Sequence, residues 1–329
     1  MANILYLVHR LPYPPNKGDK VRSYHLLKHL ARQHRVFLGT FIDDPEDEVH
    51  VDTVRSLCAD LHVSRLNPRL ARLNSLTALL SGEPLTLRYY RSAALADWVS
   101  RICRTHHIDV AVIFSSSMAQ YVKDFRRLPT LIDFVDVDSA KWTQYASHHR
   151  WPLSWLYRRE GRLLLNYERQ IAARSARSYF VTENEAALFC EQVPECQVRV
   201  EAMCNGVDAD YFSPDESRPS PYGASELPIV FTGAMDYLPN IDAVIWFKGE
   251  VFPEILVRWS NARFYIVGRS PSAEVLALAS EQVVITGTVP DVRPYLQHAA
   301  AVVAPLRIAR GIQNKILEAM AMARPVIAS

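Results

Sequence analysis

Pro228-Ile-Val-Phe-Thr-Gly233 is a short apolar run that stops at a glycine, and the pattern returns in the residues that follow. Its repeats are Arg263-Phe-Tyr-Ile-Val-Gly268, Val283-Val-Ile-Thr-Gly287 and Ala301-Val-Val-Ala-Pro305. Runs of this length with helical-period segments between them are typical of buried parallel strands. A small residue at the carboxyl end of such a strand lets a ligand approach the backbone. The second half of the chain is therefore predicted to be a parallel sheet that holds a ligand at one edge.

In the first half of the chain, strand-like apolar runs alternate with helical-period segments in the same way. A stretch rich in proline and serine, near residues 212–227, separates the two halves. The sequence predicts an α/β protein of two Rossmann-like domains, residues 1–212 and 213–329, with parallel sheets facing a cleft. The strands predicted for the first domain are Ile4–Val8, Val36–Phe41, Asp109–Phe114, Thr130–Phe134 and Ser178–Val181.

Composition narrows the class of protein. The chain has 329 residues, of which 49% are hydrophobic, enough for two cores. Its 37 basic and 35 acidic residues leave a net charge of +2, too small for the one-signed field that nucleic-acid binding needs. The five cysteines form no C-x-x-C pair, and no apolar stretch reaches the length of a membrane span. A cytoplasmic protein is expected, either free or peripheral at the inner face of the membrane.

The segment after Pro305 has the features of an anion site. Gly311 precedes a helix predicted from Asn314, whose free N–H groups and positive dipole end favour a phosphate or pyrophosphate. Arg307, Arg310 and Lys315 add positive charge, and Glu318 is placed to accept hydrogen bonds from sugar hydroxyls. From residue types alone, an ordinary loop glycine and a solvated helix carboxylate remain the alternative.

Two longer motifs resemble those of a known family. Asn205-Gly-Val-Asp208-Ala-Asp-Tyr-Phe-Ser-Pro214 resembles the hinge motif of GT-B glycosyltransferases of family four, and Leu317-Glu-Ala-Met-Ala-Met-Ala-Arg-Pro-Val326 resembles their donor-site helix. The segment Arg10–Arg22 resembles their glycine loop after the first strand. The whole chain is similar to the exopolysaccharide sugar transferases associated with exosortase (PEP-CTERM) systems. Because the chain stops within a predicted strand, the C-terminal end of the GT-B fold is expected to be truncated.

The resemblance implies an enzyme that moves a sugar, of hexosyl type, from a nucleotide sugar to an acceptor hydroxyl. It implies retention of anomeric configuration, no metal, and no cofactor besides the nucleotide sugar as co-substrate. The donor is expected in the C-terminal domain, and a sugar or lipid-linked saccharide acceptor in the N-terminal domain. The residues expected at the donor are Glu318, Arg307 and Lys315 as catalytic groups, with Gly233, Arg269, Arg310, Gly311, Ile312, Gln313 and Asn314 as binding groups.

The sequence departs from the family pattern in three places. Arg310 stands where the family has the first glutamate of its paired motif, and Asn240 lies in a region that often supplies an arginine and a lysine. Ser115 takes the place of a histidine common in relatives, so no general base is named. A second hypothesis is therefore a catalytically inactive nucleotide-binding or partner protein on the same scaffold. An oxidoreductase ranks lower, since no G-x-G-x-x-G follows the first strand.

Four residues are candidates for acceptor binding. Gly18 belongs to the predicted glycine loop, while Asp136 and Asp138 would point the same way if their strand continues, with Lys141 nearby. Such carboxylates orient a hydroxyl or act as base, although aspartates at strand ends are also common turn formers and caps. No metal site is proposed.

The segment 151–171 combines tryptophans and arginines at helical spacing. Such a helix either contacts an anionic membrane or covers the sheet, and packing is the preferred interpretation.

Overall fold

The computed structural model describes residues 1–15, 18–307 and 313–329, in two compact units, Met1–Cys204 and Asn205–Ser329. The first unit ends earlier than the predicted boundary at residue 212. The reason is that the Asn205 motif packs with the second unit: Asn205 Nδ2 donates to Asn314 Oδ1 at 3.3 Å. Phe212 likewise contacts the second unit's apolar core.

The first unit is built on a seven-stranded sheet in which every pair of neighbouring strands is parallel. The strand order is β3-β2-β1-β4-β5-β6-β7. The strands are β1 (Asn3–Val8), β2 (Arg35–Ile42), β3 (Asp60–Arg65), β4 (Val110–Phe114), β5 (Thr130–Val135), β6 (Arg177–Phe180) and β7 (Val200–Ala202).

Helices bury apolar side chains against this sheet, in two clusters that include Leu5 and Ile113 in one and Tyr6 and Phe114 in the other. Because successive strand residues point to opposite faces, the two clusters cover opposite sides of the sheet. The helices are α1 (Gly18–Gln33), α2 (Val51–Arg55), α3 (Pro68–Ser75), α4 (Ala78–Ser81), α5 (Leu85–Tyr89), α6 (Ala93–Thr105), α7 (Asp138–Ser147), α8 (Leu153–Arg174) and α9 (Glu183–Gln192), with 3₁₀ turns at Pro45–His50, Ser116–Tyr121 and Pro194–Arg199.

The second unit has a five-stranded parallel sheet of order β10-β9-β8-β11-β12. Its strands are β8 (Leu227–Thr232), β9 (Ala262–Val267), β10 (Val283–Gly287), β11 (Ala301–Ala304) and β12 (Val326–Ala328). Its helices are α10 (Leu238–Trp246), α11 (Phe252–Arg258), α12 (Ala273–Leu276), α13 (Arg293–Gln297) and α14 (Asn314–Ala321), with a π turn at Phe247–Val251.

The predicted strands of both halves are confirmed, and so is the predicted α/β class with two parallel sheets. Sequence reasoning missed β3 and β7, the strands at the two edges of the first sheet. Edge strands are half solvated, so they contain polar as well as apolar residues and lack a continuous apolar run. In β3 the polar residues include His62 and Ser64. Among the described residues, no helix is long and apolar enough to cross a bilayer.

The strand orders locate the ligand-binding edges. In each sheet the order reverses beside the first strand of the unit, between β1 and β4 and between β8 and β11. Open α/β sheets bind ligands outside the carboxyl ends of their strands at such a switch point. We therefore expect ligands to bind at the carboxyl ends of β1 and β4 in the first unit and of β8 and β11 in the second.

Candidate active site

Two glycines allow the backbones after β8 and β9 to meet. A Cβ on Gly268 would lie 1.7 Å from the Gly233 carbonyl oxygen, closer than any real contact. A Cβ on Gly233 would lie 2.7 Å from Asn240 Nδ2. Only hydrogen fits at Gly268, and a side chain at Gly233 would displace the Asn240 amide, so the turns after β8 and β9 pack closely. The approach of a diphosphate to Gly233 stays a prediction.

Lys315 lies beside this glycine backbone. Its side chain is buried, with 7% of the residue exposed, and its Nζ lies 3.8 Å from the centre of the Phe231 ring. Nζ donates to Asn240 Oδ1 at 2.8 Å and would be 3.2 Å from a Cβ on Gly233. Asn240 Nδ2 donates in turn to the Ala234 carbonyl oxygen at 2.9 Å. The amide of Asn240 thus fixes the ammonium group against the turn that follows β8.

Glu318 follows Lys315 by one turn of α14, on the same side of the helix. Burial lowers the pKa of the Lys315 ammonium to about 7, and the Glu318 carboxylate opposes this shift. Burial also raises the pKa of Glu318 to about 7, and Lys315 opposes that shift. Two groups that change charge near neutral pH therefore lie at the predicted donor site.

The two other described cations predicted at the donor site have different surroundings. Arg307 makes a two-pronged ion pair with Asp242, with Nε 3.0 Å from Oδ2, and half of its side chain is exposed. Arg269 has a buried Nε without a hydrogen-bond partner in the described part of the chain, while its carbonyl accepts from Met235 N. Lys315 is therefore the predicted cation that the structure brings to Gly233.

The start of α14 is only partly described. Gln313 precedes the helix in extended conformation, and Asn314 is its first residue. The predicted donor residues Arg310, Gly311 and Ile312 lie outside the described residues. Gln313 and Asn314 thus occupy the helix start that the sequence predicted for them.

The first unit contains a cavity of about 480 Å³ at the carboxyl ends of β1, β4 and β5. It is lined by His9, Asp19, Arg72, Ser75, Leu85, Thr86, Tyr89, Tyr90, Phe114, Ser115, Phe134, Val135, Asp136, Asp138, Lys141 and Trp142. Aromatic rings with hydroxyl and carboxylate groups among them suit a ligand that has apolar faces and hydroxyl edges.

Lys141 joins the two predicted carboxylates in this cavity. Its Nζ lies 2.7 Å from Asp136 Oδ2 and 3.3 Å from Asp138 Oδ1. Burial lowers the pKa of Lys141, but the two carboxylates outweigh it and raise the pKa above its usual range. The strand does not continue to the two aspartates, since β5 ends at Val135 and α7 begins at Asp138, so the condition for their predicted shared direction is not met. The carboxylates converge because the start of α7 places Lys141 between them.

Sequence reasoning missed a second polar group of the cavity, His9 with Asp19. His9 Nε2 lies 3.3 Å from Asp19 Oδ2, and its ring stacks on Phe114 with centroids 5.8 Å apart. Burial alone would raise the pKa of the Asp19 carboxyl. The neighbouring His9 and Arg10 outweigh this effect and hold the pKa of Asp19 well below its usual range. The available signal was position, because His9 directly follows the apolar run of β1. The predicted Gly18 begins α1 in an exposed position, and the cavity is lined by its neighbour Asp19 instead.

Among the described residues, no group of three or more His, Cys, Asp or Glu side chains is arranged to hold a metal ion. The helix predicted around residues 151–171 is α8, and Leu164 and Ala172 of this helix are buried. Packing is therefore confirmed for most of α8, while Trp151 and Trp155 at its start are exposed.

Sequence comparison identifies the second unit. Residues 226–329 match the profile of the family described as "Glycosyl transferases group 1". The chain is a glycosyltransferase. The match begins just before β8 and includes Gly233, Lys315 and Glu318 of this glycosyltransferase. No curated protein matches the chain by sequence.

Solved structures agree on the fold over the whole chain. Sucrose-phosphate synthase from Thermosynechococcus elongatus is 15% identical, with a TM-score of 0.69 over 100% of this chain and 81% of that one. HepE of Anabaena, in complex with UDP and glucose, is 15% identical, with a TM-score of 0.63 over 100% and 80%. WaaG, a glycosyltransferase involved in lipopolysaccharide biosynthesis, is 18% identical, with a TM-score of 0.62 over 99% and 80%. These similarities show the GT-B fold.

Proposed function

We propose that this glycosyltransferase moves a hexose from a nucleotide-sugar donor to an acceptor hydroxyl. The observation that carries the proposal is the Lys315 ammonium held against the Gly233 backbone, within the region that matches the family. A buried cation beside a glycine turn stabilises the negative charge that gathers on a departing diphosphate. HepE, whose fold is similar, is a protein in complex with UDP and glucose, which supports a nucleotide sugar as donor.

The donor groups divide into two roles under this proposal. Lys315 binds the diphosphate, and the helix start at Gln313 and Asn314 contributes backbone N–H groups to the same anion. Glu318 accepts hydrogen bonds from hydroxyls of the nucleotide ribose. Arg307 is available to the diphosphate only after it leaves Asp242, whereas the Nε–H group of Arg269 has no hydrogen-bond partner among the described residues.

The acceptor binds in the cavity of the first unit. Asp136 and Asp138 orient its hydroxyl groups, while the rings of Tyr90 and Trp142 provide apolar faces for a sugar. His9, oriented by Asp19, is a candidate to exchange a proton with the acceptor.

The finer features of the proposal are retention of configuration, metal-independent transfer and a role in exopolysaccharide biosynthesis at the cytoplasmic side. They follow from the resemblance to family-four and exosortase-associated enzymes. The lipid-linked form of the acceptor belongs to the same set of proposals.

Thermal unfolding of the chain with UDP, GDP and ADP tests the donor site, because a ligand that binds only the folded state raises its stability. We expect one nucleotide to raise the midpoint and Glu318→Gln to reduce that rise. Glu254→Gln is the matched control, since Glu254 is an exposed glutamate of α11 in the same unit. No shift with any nucleotide would contradict the proposal.

Incubation with the matching nucleotide sugar then separates two functions. Release of nucleoside diphosphate that depends on an acceptor supports the transferase. Nucleotide binding without turnover supports an inactive nucleotide-binding protein, which the arginine at position 310 favours because the family has glutamate there.

A further inference from the structure

Two glutamates of α8, Glu160 and Glu168, are buried in the first unit but do not line its cavity. Glu160 has 0% of its surface exposed and Glu168 has 1%. A carboxyl group at this depth costs free energy unless hydrogen-bond donors satisfy its oxygens. The donors that reach these two glutamates are backbone N–H groups and hydroxyls at the starts of α5 and α7. The two side chains therefore join α8 to two other helices.

Glu160 binds the start of α5. This helix follows Pro84, which supplies no side-chain hydrogen bond to its first turn. Instead, Oε2 of Glu160 accepts from Leu85 N at 2.7 Å, and Oε1 accepts from Thr86 N at 2.9 Å and from Thr86 Oγ1 at 2.8 Å. A carboxylate from another helix thus satisfies the free N–H groups of α5.

Glu168 binds the start of α7 in a similar way. Val137 precedes this helix and supplies no side-chain hydrogen bond to its first turn. Ser139 N donates to Oε1 of Glu168 at 3.3 Å, and Ser139 Oγ donates to Oε2 at 2.6 Å. Glu185 of α9 accepts from Val137 N at 2.8 Å. The first turn of α7 is therefore bound by carboxyl groups of two neighbouring helices.

Gly161 brings α7 and α8 into close contact next to Glu160. A Cβ on Gly161 would lie 2.5 Å from Thr143 Oγ1 and 2.9 Å from the Ser139 carbonyl oxygen. Because one of these atoms belongs to the backbone, any side chain at position 161 would displace α7. Contact at Gly161 and hydrogen bonds at Glu168 thus fix α7 on α8.

The two bound helices contribute opposite sets of groups to the cavity. The lining residues are Leu85, Thr86 and Tyr89 from α5, and Asp138, Lys141 and Trp142 from α7. We infer that Glu160 and Glu168 are positioning residues, which set the separation of α5 and α7 and through it the fit of the acceptor. The effect on the acceptor rests on the proposed function, whereas the fixing of the two helices does not.

The two glutamates differ in whether their donors can reverse direction. Each oxygen of Glu160 accepts from a backbone N–H group, which cannot become an acceptor. In Glu160→Gln the amide NH₂ group would face one of these N–H groups, so the start of α5 should be released. At Glu168 one donor is the Ser139 hydroxyl, which is also able to accept. Glu168→Gln should therefore retain the start of α7, whereas Glu168→Ala should release it.

Hydrogen exchange of the full chain, followed by mass spectrometry, tests the positioning itself, because amide protons exchange faster where a segment opens locally. We expect exchange to rise by on the order of tenfold in α5 for Glu160→Gln and in α7 for Glu168→Ala. Exchange in β1 and α6 should stay as in the wild type. Glu168→Gln should match the wild type throughout.

Binding of octyl β-D-glucoside, measured by titration calorimetry, tests the consequence for the acceptor. This probe combines hydroxyl groups with an apolar chain, as the polar and aromatic lining of the cavity requires. Affinity should fall by on the order of tenfold in Glu160→Gln and Glu168→Ala and stay unchanged in Glu168→Gln. Nucleotide affinity should not change in any of the three variants.

The matched control is Asp47→Asn. Asp47 is a buried carboxylate of the first unit that pairs with Lys20, with Oδ1 2.6 Å from Nζ, and it does not line the cavity. Its loss should lower the free energy of unfolding, since Lys20 is left buried and unpaired. Local exchange in α5 and α7 and the affinity for the glucoside should remain those of the wild type.

The outcomes separate positioning from a merely structural role. Uniformly faster exchange with unchanged glucoside affinity, as for a loss of global stability alone, would overturn the inference. Equal effects of Glu168→Gln and Glu168→Ala would also overturn it, because the hydrogen bonds would then not be what fixes α7. Local exchange changes without glucoside binding by the wild type would support the positioning and contradict the proposed sugar-binding role of the cavity.

Discussion

The turn after β8 in the second unit and the cavity in the first unit lie at corresponding sheet edges but differ in how their cations are paired. Lys315 is hydrogen-bonded to a neutral amide, that of Asn240. Lys141 lies between two carboxylates, Asp136 and Asp138. A cation without a bound carboxylate attracts an anionic ligand, whereas a balanced cluster offers acceptors and donors to hydroxyl groups. Under the proposed function, this sheet edge binds a diphosphate in the second unit and a sugar in the first.

Removal of the Lys315 charge should abolish the preference of the second unit's site for an anionic ligand. Lys315→Met keeps an unbranched chain over the Phe231 ring but removes the charge. We expect the affinity for the nucleoside diphosphate to fall by on the order of a hundredfold, the usual cost of losing a buried charge-assisted hydrogen bond. Titration calorimetry measures the change, with Lys248→Met as control because Lys248 lies in the π turn after α10. Unchanged affinity would mean that Lys315 does not contact the ligand.

Replacement of the amide by a carboxylate should make the second site resemble the first. Asn240→Asp is nearly isosteric and pairs Lys315 with a negative charge. At about pH 6 we expect this variant to bind the nucleotide about tenfold more weakly than the wild type does, because the new carboxylate already neutralises the Lys315 ammonium.

The pH dependence separates this effect from simple damage to the site. In the wild type, affinity should fall as pH rises through about 7, where Lys315 loses its proton. In the variant the carboxylate raises the pKa of Lys315, so the two affinity curves should converge at higher pH. Parallel curves would contradict a role of Asn240 in setting the charge of Lys315.

A substitution in the cavity of the first unit should leave nucleotide binding in the second unit unaffected. Asp136→Asn leaves Lys141 with Asp138 alone, at 3.3 Å. We expect the free energy of unfolding to fall by about 1 kcal/mol, since the pair is only partly exposed. Nucleotide affinity should not change, because this cluster belongs to the first unit. Urea denaturation measures the stability, and Asp124→Asn, at an exposed aspartate, is the control. A change in nucleotide affinity would show that the two sites are not independent.

The last prediction concerns the pH dependence of stability. Glu318 has a pKa of about 7 when folded against a usual value of 4.5, so the native state binds more protons between these values. Its contribution to stability is therefore present at low pH and is lost as pH rises from 4.5 to about 7. Glu318→Gln should remove this slope, measured by urea denaturation across that range. An identical slope in the variant would assign the pH dependence to another group.

The sequence predicted the central strands because a strand buried on both faces is a continuous apolar run, as in Pro228–Thr232. It also placed Lys315 and Glu318 on one helix start. It could not predict the Asn240 contact, because that residue lies 75 positions away from Lys315 and only the packed sheet joins them. Local patterns carry no information on such tertiary pairs, and for the same reason His9 and Asp19 were missed.

Gly268 illustrates how a position can matter without touching a ligand. Its hydrogen leaves space for the Gly233 carbonyl, on a neighbouring strand. In a saturation mutagenesis screen selected on sugar transfer, we expect even alanine to be rejected here, although Gly268 supplies no side chain to the chemistry. Tolerance at this position would thus report on the spacing between two strands.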